Sequence, residues 1–247
     1  MEHQGRGVGP ALAEARERLR RAEVAALREP GSVRLLLATK TLPADVVREA
    51  VQADAQACAT TGARSAILGE NRAQELVAKA PALADLAPTW HFIGPLQSNK
   101  VNAVLRHAAC VQTVASLDLA RRLAERAVAS GRTLEVMLQV NVSGETTKAG
   151  AAPDDAVPLA LQVAGLDGLR LTGFMTVGAN SPDLGVVRAG YALLRQVRDA
   201  VLASGADGTE HACELSMGMS GDLEAAVAEG ATVVRLGTAV FGARPRP

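Results

Sequence analysis

The chain has 247 residues, 48% of them hydrophobic and only 2% aromatic, and its 26 basic and 26 acidic residues cancel. That length suits one domain, because α/β barrels occupy about 250 residues as a single unit, and the core must be built from alanine, valine and leucine. Neutral charge and scarce aromatics argue against a nucleic-acid binder, which needs phosphate-neutralising charge and stacking platforms.

In chain order, residues 1–10 are polar and glycine-rich, without the apolar segment of a signal peptide. They are expected to be disordered. Residues 11–27 place Leu12, Leu19, Val24 and Leu27 among charges, which predicts an extra N-terminal amphipathic helix. Short β-rich apolar runs follow at 33–38, 65–68, 89–93, 110–114, 134–140, 169–174, 212–215 and 232–236. Helical patterns lie between them, among them 44–53, 117–130, 154–166 and 184–203. Pro43, Ser116 and Pro153 stand at or just before helix starts, where a fixed φ or a capping oxygen helps. Eight alternations with no linker predict a parallel sheet closed into a single (β/α)₈ TIM-type barrel over residues 11–247. No apolar run reaches the ~18–20 residues of a membrane span, so no membrane partner is expected and the chain reads as cytoplasmic. Cys58, Cys110 and Cys213 match no zinc or redox spacing and read as buried thiols in a reducing compartment.

Functional groups in such barrels gather at the C-terminal ends of strands. Lys40 follows the first run, and it is one of only four lysines, with Lys79, Lys100 and Lys148. Lysine retained in an arginine-rich chain suggests a role that guanidinium cannot fill, such as an imine with an aldehyde. Lys79, late in the helical stretch 72–80, reads as a surface charge, and Lys148 as a loop charge or a secondary contact. The stretch 216–222, Ser-Met-Gly-Met-Ser-Gly-Asp, precedes a short helix that Ser220 or Asp222 would cap. Arg235-Leu236-Gly237-Thr238 follows the last run. Together these two turns suggest a phosphate site after strands 7 and 8. His91 has no partner at metal-ligand spacing and reads as a loop-packing residue, so no metal is expected.

Ala38-Thr39-Lys40-Thr41, Gly69-Glu70-Asn71-Arg72-Ala73-Gln74-Glu75, residues 90–100, residues 216–220 and residues 235–242 occur in order. They resemble the signature blocks of the pyridoxal phosphate homeostasis protein family. The resemblance implies a barrel like the N-terminal domain of alanine racemase, with pyridoxal 5′-phosphate (PLP) at its mouth. It implies an imine on Lys40, a phosphate held by Ser216, Gly237 and Thr238, Arg235 facing the pyridine nitrogen, and Asn71 and Met217 beside the ring. It also implies a protein that binds and delivers PLP, as a monomer in transient contact with PLP-dependent apo-enzymes, rather than a catalyst. Arg72-Ala73 departs from a more usual aromatic-aliphatic pair and Gly221 from an acidic or small residue, both at the rim of the expected pocket.

Two other readings stay open. One is a PLP enzyme such as an amino-acid racemase or decarboxylase. Racemisation needs a second base opposite Lys40, and the only tyrosine, Tyr191, falls inside a long helical stretch expected on the barrel's outside. The other is a sugar-phosphate aldolase with Lys40 as its lysine. Glu70 is the only acidic residue placed at a strand end, too few for that chemistry.

Overall fold

A computed structural model describes residues 7–145 and 147–242. Eight parallel strands close into a barrel in sequence order, β1 pairing with both β2 and β8. They are β1 Arg34–Ala38, β2 Ile67–Glu70, β3 Trp90–Phe92, β4 Cys110–Val114, β5 Leu134–Gln139, β6 Leu169–Met175, β7 Glu214–Ser216 and β8 Val233–Leu236. Each of the eight expected runs overlaps a strand, although β2 and β7 begin two residues later than the runs 65–68 and 212–215. The helices are α1 Val8–Ala25, α2 Ala44–Thr61, α3 Ala73–Ala82, α4 Val101–Leu105, α5 Leu117–Ala129, α6 Pro153–Ala164, α7 Leu184–Ala203, α8 Leu223–Ala228 and α9 Thr238–Phe241.

Helix starts follow local chemistry. Ser116 caps α5 by accepting the Leu119 N–H, and Pro153 opens α6 with its preset φ. The disorder expected for residues 1–10 does not hold throughout. Val8–Pro10 form the first turn of α1, and residues 1–6 lie outside the described residues. Helix α1 buries Leu12, Ala15, Leu19 and Ala22 against α2, α8 and α9. Helix α9 has four residues, and α1 fills the place in the outer ring that so short a helix leaves. Glu23 ties α1 to the sheet, accepting the N–H groups of Gly31 and Val33 just before β1.

Side-chain alternation along each strand sorts the core into two parts. Leu35, Leu37, Leu68, Trp90, Phe92, Val136, Leu171, Leu215 and Leu236 face the helices in one continuous cluster. The opposite face lines the barrel with two small apolar groups, Leu36, Ile67, Ile93 and Val233, and Cys110, Met137 and Met175. Polar residues fill the remaining interior positions, and those above the apolar groups make the site.

Candidate functional site

Lys40 follows β1 by two residues, so alternation puts it on the face shared by Leu36 and Ala38, at the barrel mouth. Thr39, on the other face, is fully buried, and its hydroxyl donates to Glu70 Oε1 at 2.6 Å. Lys79 on α3 is not a surface charge. Its side chain is only 8% exposed, and its ammonium donates to Glu70 Oε1 at 2.6 Å, Glu75 Oε2 at 2.9 Å and the Thr39 carbonyl at 2.8 Å. Glu75 Oε2 in turn accepts the Thr41 N–H at 2.6 Å. Burial pushes the Glu70 carboxyl up, against the pull of Lys79 and Thr39. Burial also raises Glu75, but Lys79, the Thr41 N–H and Arg72 outweigh it and hold that carboxyl below its usual range. Thr41 sits at φ 66°, a left-handed conformation uncommon for a non-glycine residue.

Arg235 on β8 shares the inward face with Val233, and it is 7% exposed. It donates to the Ser216 carbonyl at 2.7 Å, the Ser216 hydroxyl at 2.9 Å and the Thr176 carbonyl at 2.6 Å. The Ser216 hydroxyl donates onward to Gln112 Oε1 at 2.7 Å, and Gln112 Nε2 lies 2.8 Å from His91 Nδ1. A relay of hydrogen bonds therefore crosses the barrel from β8 through β7 and β4 to β3. Its directions agree only if His91 Nδ1 accepts, which puts the ring proton on Nε2. Burial, aided by the charge of Arg34, lowers His91 to about 3 and keeps it neutral.

These contacts correct several expectations. His91 is a buried strand residue of the interior, not loop packing. The Ser216 hydroxyl is completely buried and bonded to Gln112 and Arg235. The Met217 side chain belongs to the sheet–helix core, because the residue after inward-facing Ser216 turns outward, and only its backbone faces the mouth. Asp222 occupies the N-cap position of α8 without capping it. Its carboxylate instead accepts the Met219 N–H at 2.6 Å and the Tyr191 hydroxyl at 2.7 Å. Of the cysteines only Cys110 is buried; Cys58 is half-buried and Cys213 exposed. Gln112 was missed, since it lies in an apolar run that offers no motif. Strand alternation alone would have pointed Gln112 inward.

The remaining candidates surround the mouth. Asn71 follows β2, and its buried Oδ1 has no hydrogen-bond partner among the described residues. It borders a groove of about 580 Å³ that also touches Glu75, Leu96, Gln97 and Lys100. Gly237 and Thr238 open α9 directly after β8, and the N–H groups of residues 237–239 bond to no described backbone carbonyl. Gly218 at φ 91° has no room for a Cβ, which would stand 2.4 Å from that of Ala226. Lys148 sits on the rim, donating to Glu145 and to the Gly178 carbonyl. Among the described residues no group of His, Cys, Asp or Glu could hold a metal ion, and no helix is long and apolar enough to cross a membrane.

Residues 47–245, which take in β2 to β8 and Arg235, match the family model "Alanine racemase, N-terminal domain". Among curated relatives, a pyridoxal phosphate homeostasis protein of Pseudomonas aeruginosa is 46% identical, covering 94% of each chain. The chain belongs to the pyridoxal phosphate homeostasis protein family. Among solved structures, an unknown protein from Bifidobacterium adolescentis is 42% identical with a TM-score of 0.87, covering 95% of this chain and 94% of that one. PipY of Synechococcus elongatus, solved with PLP bound, is 34% identical with a TM-score of 0.79, covering 95% of this chain and all of that one.

Proposed function

We propose that this chain holds PLP as an imine on Lys40 and serves the supply of PLP to apo-enzymes, as a cytoplasmic monomer without turnover of its own. The observation that carries the reading is that Lys40 follows β1 while Arg235 lies on the adjacent β8, with buried hydrogen bonds holding the Thr39 carbonyl beside Lys40 and the Arg235 guanidinium. The family and the PLP-bound PipY structure support it.

The residues present suit the group. Lys40 offers the primary amine that an aldehyde requires. Three hydrogen bonds consume part of the five-donor guanidinium of Arg235, leaving donors for the pyridine nitrogen. Asn71 Oδ1 lacks a partner where the ring would lie, beside the backbone of Met217. Backbone N–H groups at Gly237 and Thr238, with the Thr238 hydroxyl, would hold the phosphate. PLP, when bound, supplies an electron sink. Arg235 can only donate, so it leaves the pyridine nitrogen unprotonated and that sink weak, which fits a carrier better than a catalyst.

Borohydride reduction of the PLP-loaded protein, followed by peptide mass mapping, is expected to place the cofactor on Lys40, and Lys40→Ala is expected to take up none. Trapping on Lys100 or Lys148 instead would refute the assignment.

A further inference from the structure

Lys40 lies between two peptide groups, and each is held by a charged side chain. The carbonyl on its N-terminal side, that of Thr39, accepts from Lys79 Nζ at 2.8 Å. The N–H on its C-terminal side, that of Thr41, donates to Glu75 Oε2 at 2.6 Å. Glu70, at the end of the neighbouring strand and completely buried, holds both Lys79 Nζ and the Thr39 hydroxyl at 2.6 Å. Glu75 and Lys79 stand one turn apart on α3, so a single helix face carries both arms of the clamp.

Two features make this more than ordinary packing. Burying an ammonium and a carboxylate is costly even when they are paired, and a threonine in left-handed backbone persists only where its surroundings over-determine it. A turn joining a strand to a helix requires neither. Both expenses fall on the turn Thr39–Thr41, which sets the direction in which Lys40 leaves the sheet, and on the charges that hold it.

We infer that Glu70, Glu75 and Lys79 are positioning residues for Lys40, fixing the turn that presents its amine and thereby governing how readily it links to an aldehyde cofactor. The inference rests on the reading of Lys40 as the linking amine. In that linkage the neutral Lys40 amine replaces the aldehyde oxygen, and its two hydrogens leave with that oxygen as one water. With the clamp loosened, the turn spends only part of its time in the competent arrangement, and apparent affinity falls by that fraction.

Removing one charge strands its partner in the core, so the test uses the double variant Glu70→Met/Lys79→Met. Replacing a buried pair by apolar side chains of similar volume is often neutral for stability. Thermal stability is compared with the rate and extent of imine formation from PLP, and with binding of pyridoxine 5′-phosphate, which carries an alcohol in place of the aldehyde. The expected result is near wild-type stability and pyridoxine 5′-phosphate binding, with imine formation reduced about tenfold or more. Wild-type imine formation in a folded double variant would overturn the inference, and so would an equal loss of both ligands. If the double variant does not fold, Glu75→Ala decides. It keeps the Glu70–Lys79 pair and removes the acceptor of the Thr41 N–H, one partner of Lys79 and the exposed ion pair with Arg72, and the same selective loss is expected. Wild-type protein run in parallel separates the two failures. No borohydride-trapped cofactor on wild-type Lys40 removes the underlying reading, whereas equal trapping in wild type and variants removes the clamp alone.

Discussion

Gly94, just past β3, has no room for a side chain. A Cβ built there stands 2.1 Å from the Asn71 carbonyl oxygen, 2.4 Å from the Asn71 Cα and 2.5 Å from its Cβ. Two of the three atoms are backbone, and both strand exits are pinned. Ile93 donates its N–H to the Glu70 carbonyl at 2.8 Å, and the Thr113 hydroxyl donates to the Gly94 carbonyl at 2.7 Å. Restoring ordinary contact in Gly94→Ala therefore moves Asn71 by about 1 Å. Overpacking of this kind costs about 1–3 kcal/mol, and two anchored backbones put it near the upper end. For a chain of this size about 3 kcal/mol lowers the melting temperature by roughly 6–12 °C. Trp90, the only tryptophan, is buried on β3 and reports the transition by fluorescence. Because Asn71 moves with the exit of β2, PLP affinity is expected to fall about tenfold, the scale of one hydrogen bond to a bound group. A melting temperature within about 2 °C of wild type, or unchanged PLP affinity, would refute the reasoning.

Thr238→Ala is expected to weaken PLP by about 1–3 kcal/mol while leaving pyridoxal binding unchanged; equal losses in titrations of both ligands would remove the phosphate assignment. Ser216→Ala is expected to behave differently, weakening both ligands alike and lowering stability by about 1–3 kcal/mol, because it strips a buried partner from Gln112 and from Arg235; selective loss of PLP would restore Ser216 to the phosphate. The neutral His91, with its folded pKa lowered to about 3, binds its proton more readily unfolded. Its contribution to stability is thus fully present above the unfolded value of about 6.5 and falls by about 1.4 kcal/mol per pH unit as pH drops toward the folded value. Denaturant titrations from pH 7 to 4 are expected to show a shallower slope in His91→Gln, and parallel slopes would contradict this. Amino-acid racemase activity is expected to be negligible, since the Tyr191 hydroxyl is committed to Asp222 and cannot serve as the second base; chiral chromatography showing turnover near ~1 s⁻¹ would overturn the carrier reading.

Most of the eight strands were legible because they are short β-branched or leucine runs bounded by turn residues, with β3 (Trp-His-Phe) and β7 (Glu-Leu-Ser) the exceptions, and the spacing between runs left room for little but a covering helix. The position of Lys40 just past β1 was legible for the same reason, by its place after the first run. The relay from Arg235 to His91 was not, because its four members come from four strands and meet only when the barrel closes. Lys79 was misjudged in a way local pattern invites. Its four-residue spacing from Glu75 signals a helix-surface pair, and nothing nearby in the chain shows that Glu70 and the Thr39 carbonyl converge on the same ammonium. Ser216 and Met217 were assigned from their motif alone, whereas the period of two along β7 sends one side chain into the barrel and the next into the outer core.

Closure of the sheet also bears on how another protein can approach. A ring in which β1 pairs with β8 has no unpaired strand along its flank, so recognition by adding a strand to a sheet edge, a common way of docking an extended segment, is denied to any visitor. What lies around the mouth instead is irregular backbone and short helix starts, carrying Met219, Val177 and Leu184 partly in solvent. On the function proposed above, an apo-enzyme taking the cofactor directly from this barrel would have to read side chains and loop shape at one end of the cylinder, with its own cofactor pocket open toward that end.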